Sequence, residues 1–156
     1  MRRERSSRIL GLCGGHAAAA MTQQEQTRIV IAGRQAGARL AMREYLDAQP
    51  GLDVIGEAPD CRCLLELAEF TGPDLVLLDW DLPGKPDADY VAALRGLECQ
   101  PLIVAVGKQP EWSGPAMNAG ADAFVYLGHG PKQVVAAIRW VVLEAMYAQS
   151  PHRDDL

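Results

Sequence analysis

The sequence predicts an α/β domain in which five consecutive strand-helix units build a parallel sheet with helices on both faces. Three observations carry the prediction. Short runs rich in β-branched residues alternate with stretches whose apolar residues recur at helical spacing. The central run Leu75-Val76-Leu77-Leu78 is apolar at every position, as a strand buried on both faces requires, and it stops at a carboxylate, Asp79. The Pro-Gly pairs Pro50-Gly51 and Pro83-Gly84 break the chain where one period gives way to the other.

Taken in order, the first strand is Arg28-Ile29-Val30-Ile31-Ala32. The helix after it places Ala38, Ala41, Met42, Tyr45 and Leu46 on one core-facing stripe and closes at Gln49-Pro50-Gly51. The second strand is Leu52-Asp53-Val54-Ile55-Gly56, followed by helical spacing over 61–70. The third is Leu75-Val76-Leu77-Leu78-Asp79, followed by a helix over 88–97. Leu102-Ile103-Val104-Ala105-Val106 and Ala123-Phe124-Val125-Tyr126 are the fourth and fifth, with helices over 112–119 and 131–148. The domain is therefore expected over 27–148, between a flexible N-terminal extension (1–26) and a polar C-terminal tail (149–156).

A chain of 156 residues, 49% hydrophobic and 22% charged, can bury one core without disulfides or metals. Its net charge of −5 argues against direct binding to nucleic acid. The first twenty residues carry four Arg and one Glu, a charge of +3, so the rest carries −5 − 3 = −8. Cys13, Cys61, Cys63 and Cys99 have neither CxxC nor zinc spacing, and His16, His129 and His152 are scattered, so no metal centre is expected. Arg2-Arg3 followed by Ile9-Leu10-Gly11-Leu12 is a poor secretory signal. Its apolar core is interrupted, and Leu12 stands before Cys13 where a lipoprotein site needs a small residue. No window is long and apolar enough for a membrane span. A cytoplasmic protein is expected, and Met21 is a second candidate start.

An acid at the tip of a buried parallel strand lies where open α/β sheets keep their ligands. An isolated strand-end aspartate can also simply cap the next turn. The run Leu75-Val76-Leu77-Leu78-Asp79-Trp80-Asp81-Leu82-Pro83-Gly84 resembles the phosphoacceptor strand of two-component response-regulator receiver domains. Gly51-Leu52-Asp53-Val54-Ile55-Gly56-Glu57-Ala58 and Ala119-Gly120-Ala121-Asp122-Ala123-Phe124 resemble segments of receivers that precede helix-turn-helix output domains. The resemblance implies a flavodoxin-like (CheY-like) fold with strand order 2-1-3-4-5. It makes Asp79 the phosphoacceptor position, and Phe124 the switch aromatic.

The chain departs from that family at each supporting position. Gly33 and Arg34 replace the acidic pair that would hold Mg²⁺. Val106 and Gly107 stand where a hydroxyl should end the fourth strand, and Leu127 stands in place of the lysine after the fifth. Lys108 and Lys132 are the lysines placed to reach in from neighbouring loops. Mg²⁺ binding is thus doubtful and no cofactor is expected. Arg34 is expected to pair with Asp79, a protein cation in place of the metal, the alternative being an Arg34 that points to solvent. Gly33-Arg34-Gln35-Ala36-Gly37 lacks the spacing of a dinucleotide loop, and Glu57 alone is a weak ribose ligand.

The last helix predicts two apolar stripes. Val134, Ile138, Val141, Val142 and Ala145 face the sheet, while Ala136, Trp140, Leu143 and Tyr147 face outward. A second apolar stripe calls for a cover, either a tail of the chain or a partner, and Trp140 would anchor it. The expectation is a stand-alone pseudo-receiver: a binding module, not an enzyme, that acts without phosphorylation through protein contacts. A homodimer is expected, and a histidine kinase or transcription regulator is a possible further partner. The alternative is a phosphoaccepting regulator that still uses Asp79 with a degenerate metal site.

Overall fold

A computed structural model describes residues 26–149. The expected extension and tail lie outside those residues, except Gln26 and Gln149. The elements run β1 (Thr27–Ala32), α1 (Ala36–Asp47), β2 (Leu52–Ala58), α2 (Cys61–Thr71), β3 (Leu75–Asp79), α3 (Ala88–Arg95), β4 (Leu102–Gly107), α4 (Ser113–Ala119), β5 (Ala123–Tyr126) and α5 (Pro131–Ala148). The five strands form one parallel sheet in the order β2-β1-β3-β4-β5. The order of chain and sheet reverses at β1 and β3, so their C-terminal ends flank a crevice.

Strand alternation divides the core in two. Ile29, Ile31, Leu75, Leu77, Val104 and Val106 face α1 and α5, where Leu46, Val134, Ile138 and Val141 are buried. Val30, Ala32, Val76, Leu78, Ile103 and Ala105 face α2, α3 and α4. A sheet buried on both faces can be apolar at every position, as β4 is and as β3 is up to its terminal Asp79.

Local chemistry fixes the ends of the elements. Asp60 and Asp87 cap α2 and α3, their side chains accepting from the amides of Cys63 and Tyr90 at 2.8 Å. The turn after Asp79 needs Gly84, which has φ +102° and lies so close to Cys61 that a Cβ would fall 2.8 Å from the Cys61 Cβ. Cys61 donates its amide to the Pro83 carbonyl at 2.9 Å, and Tyr90 Oη donates to the Cys61 carbonyl at 2.6 Å. The turn is thereby pinned to the start of α2.

Some boundaries differ from expectation. The helix expected over 88–97 stops at Arg95, and the one expected over 112–119 divides into a 3-10 turn, Pro110–Trp112, and α4. β2 runs on to Ala58, where its end pairs with Ala32. In α1 only Leu46 of the expected stripe is fully buried. Met42 and Tyr45 are half-buried, and Ala38 and Ala41 are exposed, Ala38 because it borders an open cavity at the strand ends.

Candidate functional site

Asp79 ends β3 half-buried, beside Val106 of β4. Its Oδ1 accepts the Asp81 amide at 2.9 Å, so the side chain does cap its own turn. Its Oδ2 faces β1, 3.8 Å from the place a Cβ on Gly33 would occupy, and no described donor reaches it. Burial pushes the Asp79 carboxyl above its usual range, against the pull of the Asp81 amide. Asp81 raises it further, while Lys108 and Arg34 act in the opposite sense from a distance.

The expected Arg34–Asp79 ion pair is not made. The Arg34 guanidinium instead donates to the Asp81 carbonyl at 3.4 Å, across the mouth of the site. The exposed Arg34 follows Gly33 in the β1–α1 loop, and from there its side chain reaches the loop after β3. Lys108 lines the same cavity, as the sequence suggested it could, but Lys132 does not.

A network that sequence reasoning missed closes the other side. Arg39 donates to Glu57 Oε1 at 3.0 Å and to the Gly33 carbonyl at 2.7 Å, while Arg43 holds Glu57 Oε2 at 2.7 Å. The Arg43 hydrogen bond, with help from Arg39, keeps the Glu57 carboxyl below its ordinary range despite partial burial. Glu57 is thus committed to two arginines, and is not available as a ribose ligand. The spacing of Arg39 and Arg43 by one helical turn was the available signal, since two cations on one face call for an acid.

Val106 faces the α1/α5 core, and Gly107 lies under two aromatic rings. A Cβ on Gly107 would meet Trp112 Cε3 at 2.6 Å and the Phe124 ring at 3.1 Å. The indole therefore fills the space a side chain at the end of β4 would take. Leu127 opens the 3-10 turn after β5 and turns its hydrocarbon to the cavity.

The cavity measures about 100 Å³. Asp79 and Asp81 are its acidic groups and Arg34, Arg39 and Lys108 its cations. Mg²⁺ demands near-octahedral oxygen ligation, in which one or two carboxylates are joined by several waters. Among the described residues no group of three or more acidic, His or Cys side chains is placed to hold a metal. Gly33 has no side-chain donor, and its carbonyl is taken by Arg39. The donor set at the tip does not fit Mg²⁺. Among the described residues, Cys61, Cys63 and Cys99 form no disulfide.

No family model matches the chain. It is 28% identical over 120 residues to the nitrate/nitrite response regulator protein NarL of Escherichia coli K12, covering 76% of this chain and 56% of that one. It is 31% identical over 103 residues to NarP of the same organism, covering 65% and 48%. The chain thus spans about half the length of these curated relatives. The solved receiver domain of NarL from Mycobacterium tuberculosis superposes with a TM-score of 0.66 at 28% identity, over 73% of this chain and 94% of that one. With the 2-1-3-4-5 sheet and an aspartate at the tip of β3, these likenesses make the described domain a response-regulator receiver (CheY-like) domain.

Proposed function

We propose that this receiver works without phosphorylation, as a pseudo-receiver that acts through protein contacts, and that it is a binding module, not an enzyme. The observation that carries the reading is the charge pattern around Asp79. Gly33 and Arg34 stand where the domain would need metal-binding acids, so the site around Asp79 carries a cation, held on the Asp81 carbonyl, in place of a carboxylate pair. Metal-assisted phosphoryl transfer depends on positioning and charge neutralisation together. Leu127 and the Trp112-covered Gly107 supply neither the lysine nor the hydroxyl that would hold the transferred group.

A second reading keeps Asp79 as a phosphoacceptor. What favours it is the free Oδ2, which faces an open cavity. One experiment separates the two. The chain is incubated with acetyl phosphate and Mg²⁺, and its intact mass is measured beside that of Asp79→Asn. An unchanged mass is expected, and a gain of one phosphoryl group that Asp79→Asn abolishes would establish the second reading.

The partner surface proposed is the outer face of α5. Trp140 and Tyr147 are 56% and 59% exposed, with Leu143 and Met146 beside them. A second copy of this chain is the proposed occupant, and a histidine kinase or a transcription regulator is the class of further partner. Among the described residues no helix is long and apolar enough to cross a membrane.

A further inference from the structure

The cavity beside Asp79 is lined by apolar side chains and by charged groups of both signs. Ile31, Met42, Leu77, Val106 and Leu127 form the apolar lining, which favours an aliphatic group over water. Asp79 Oδ2 is an acceptor that no described donor reaches. The cationic groups besides Arg39 are Arg34, whose contact is with a carbonyl, and the exposed Lys108, and neither forms an ion pair with a described carboxylate. Arg39 is held by Glu57.

This arrangement selects by charge. A simple carboxylate would be repelled by Asp79 and Asp81, and a simple amine by Arg34 and Lys108. A molecule with both groups on one carbon meets each with its opposite. Size narrows the choice further. An apolar cavity of about 150 Å³ holds benzene, so about 100 Å³ takes roughly four heavy atoms, with the polar groups left at its opening.

We propose that the cavity binds a small aliphatic α-amino acid, with its ammonium on Asp79 Oδ2, its carboxylate between Arg34 and Lys108, and its side chain against Ile31, Leu77 and Leu127. The proposal rests on the phosphorylation-independent reading, for which it supplies an input. Val106 belongs to the core that Val134 and Ile138 of α5 also build, and Leu127 packs against it. A ligand on this lining therefore touches the packing beneath the proposed partner face.

The test uses the isotope-labelled full chain and three probes of one skeleton: L-valine, its deaminated analogue isovalerate and its decarboxylated analogue isobutylamine. L-Valine is expected to give saturable amide shifts at Gly33, Arg34 and Leu127 in the millimolar range, with each analogue weaker by about tenfold or more. Arg34→Ala combined with Lys108→Ala, both at exposed positions, should weaken L-valine by about tenfold while the dispersed spectrum of the folded chain persists. Absence of saturable shifts at tens of millimolar L-valine, or equal binding of either analogue, would overturn the proposal. The acetyl phosphate assay on the same sample tests the underlying reading separately. Phosphorylation of Asp79 would remove that reading whatever L-valine does, and an unchanged mass without L-valine binding would remove the amino-acid site alone.

Discussion

Asp79 is held where burial and charge disagree. Desolvation raises its pKa, and the Asp81 amide, Lys108 and Arg34 only partly restore the charged form. A carboxyl with a raised folded pKa favours folding when protonated. Its contribution is fully present below the ordinary value of 3.8 and is lost as pH rises through the folded value. Asp79→Asn keeps the Oδ1 acceptor for the Asp81 amide and removes the charge. It is expected to stabilise the domain by about 1 kcal/mol at neutral pH, with the gain shrinking as pH falls toward 3.8. Urea denaturation of both proteins across that range measures it, and a loss of stability at neutral pH would refute it. Glu57 has the opposite sign. Its carboxyl is held low by Arg43 and Arg39, so its contribution exists above 4.5 and is lost as pH falls through the depressed folded value.

The end of β4 is closed by an element that is not a strand. The 3-10 turn Pro110–Trp112 lays its indole on Gly107, and Phe124 of β5 closes the other side. A serine at 107 would have to expel Trp112 or bend β4. Gly107→Ser is therefore expected to cost about 1 to 3 kcal/mol by overpacking. Trp112→Ala should cost stability of its own, but in the double variant the two losses should add to less than their sum, because the ring that clashes is gone. Strictly additive losses in urea midpoints would show that the indole and position 107 do not share that space. The same contact bears on function. On the phosphorylation-independent reading proposed above, a hydroxyl at 107 alone would not complete a phosphoryl site while Trp112 occupies the space beside it.

At the scale of the molecule, the two-sided sheet accounts for every helix but leaves one helix face without a described cover. α5 buries Val134, Ile138 and Val141 against the sheet and turns Trp140, Leu143 and Met146 outward. A two-fold axis would let this one face serve both copies, and exposed Ala136 allows close approach. Trp140→Ala is expected to weaken self-association about thirtyfold, a loss of about 2 kcal/mol, while circular dichroism stays unchanged. Sedimentation at micromolar concentration measures it. A wild-type chain that stays monomeric at several hundred micromolar would assign the face to another partner.

The order of the five strand-helix units, the buried central strand with Asp79 at its tip, and the two stripes of the last helix were all legible in the sequence. Each is a matter of period, composition or chain order, and survives without knowledge of what packs against it. The residues at 33, 34, 106, 107 and 127 are local to their strands as well, and that they stand in place of an acidic pair, a hydroxyl and a lysine is the reading on which the proposed function rests. The tertiary structure alone decided where the charges went. Arg34 lies at a strand end from which it reaches either Asp79 or the Asp81 carbonyl, and the loop after β3 settled it. Glu57 meets Arg39 and Arg43 only because β2 lies beside β1, and Trp112 covers Gly107 only because the turn after β4 folds back. Such contacts join residues distant along the chain through rotamers and loop paths, which hydrophobic period does not encode.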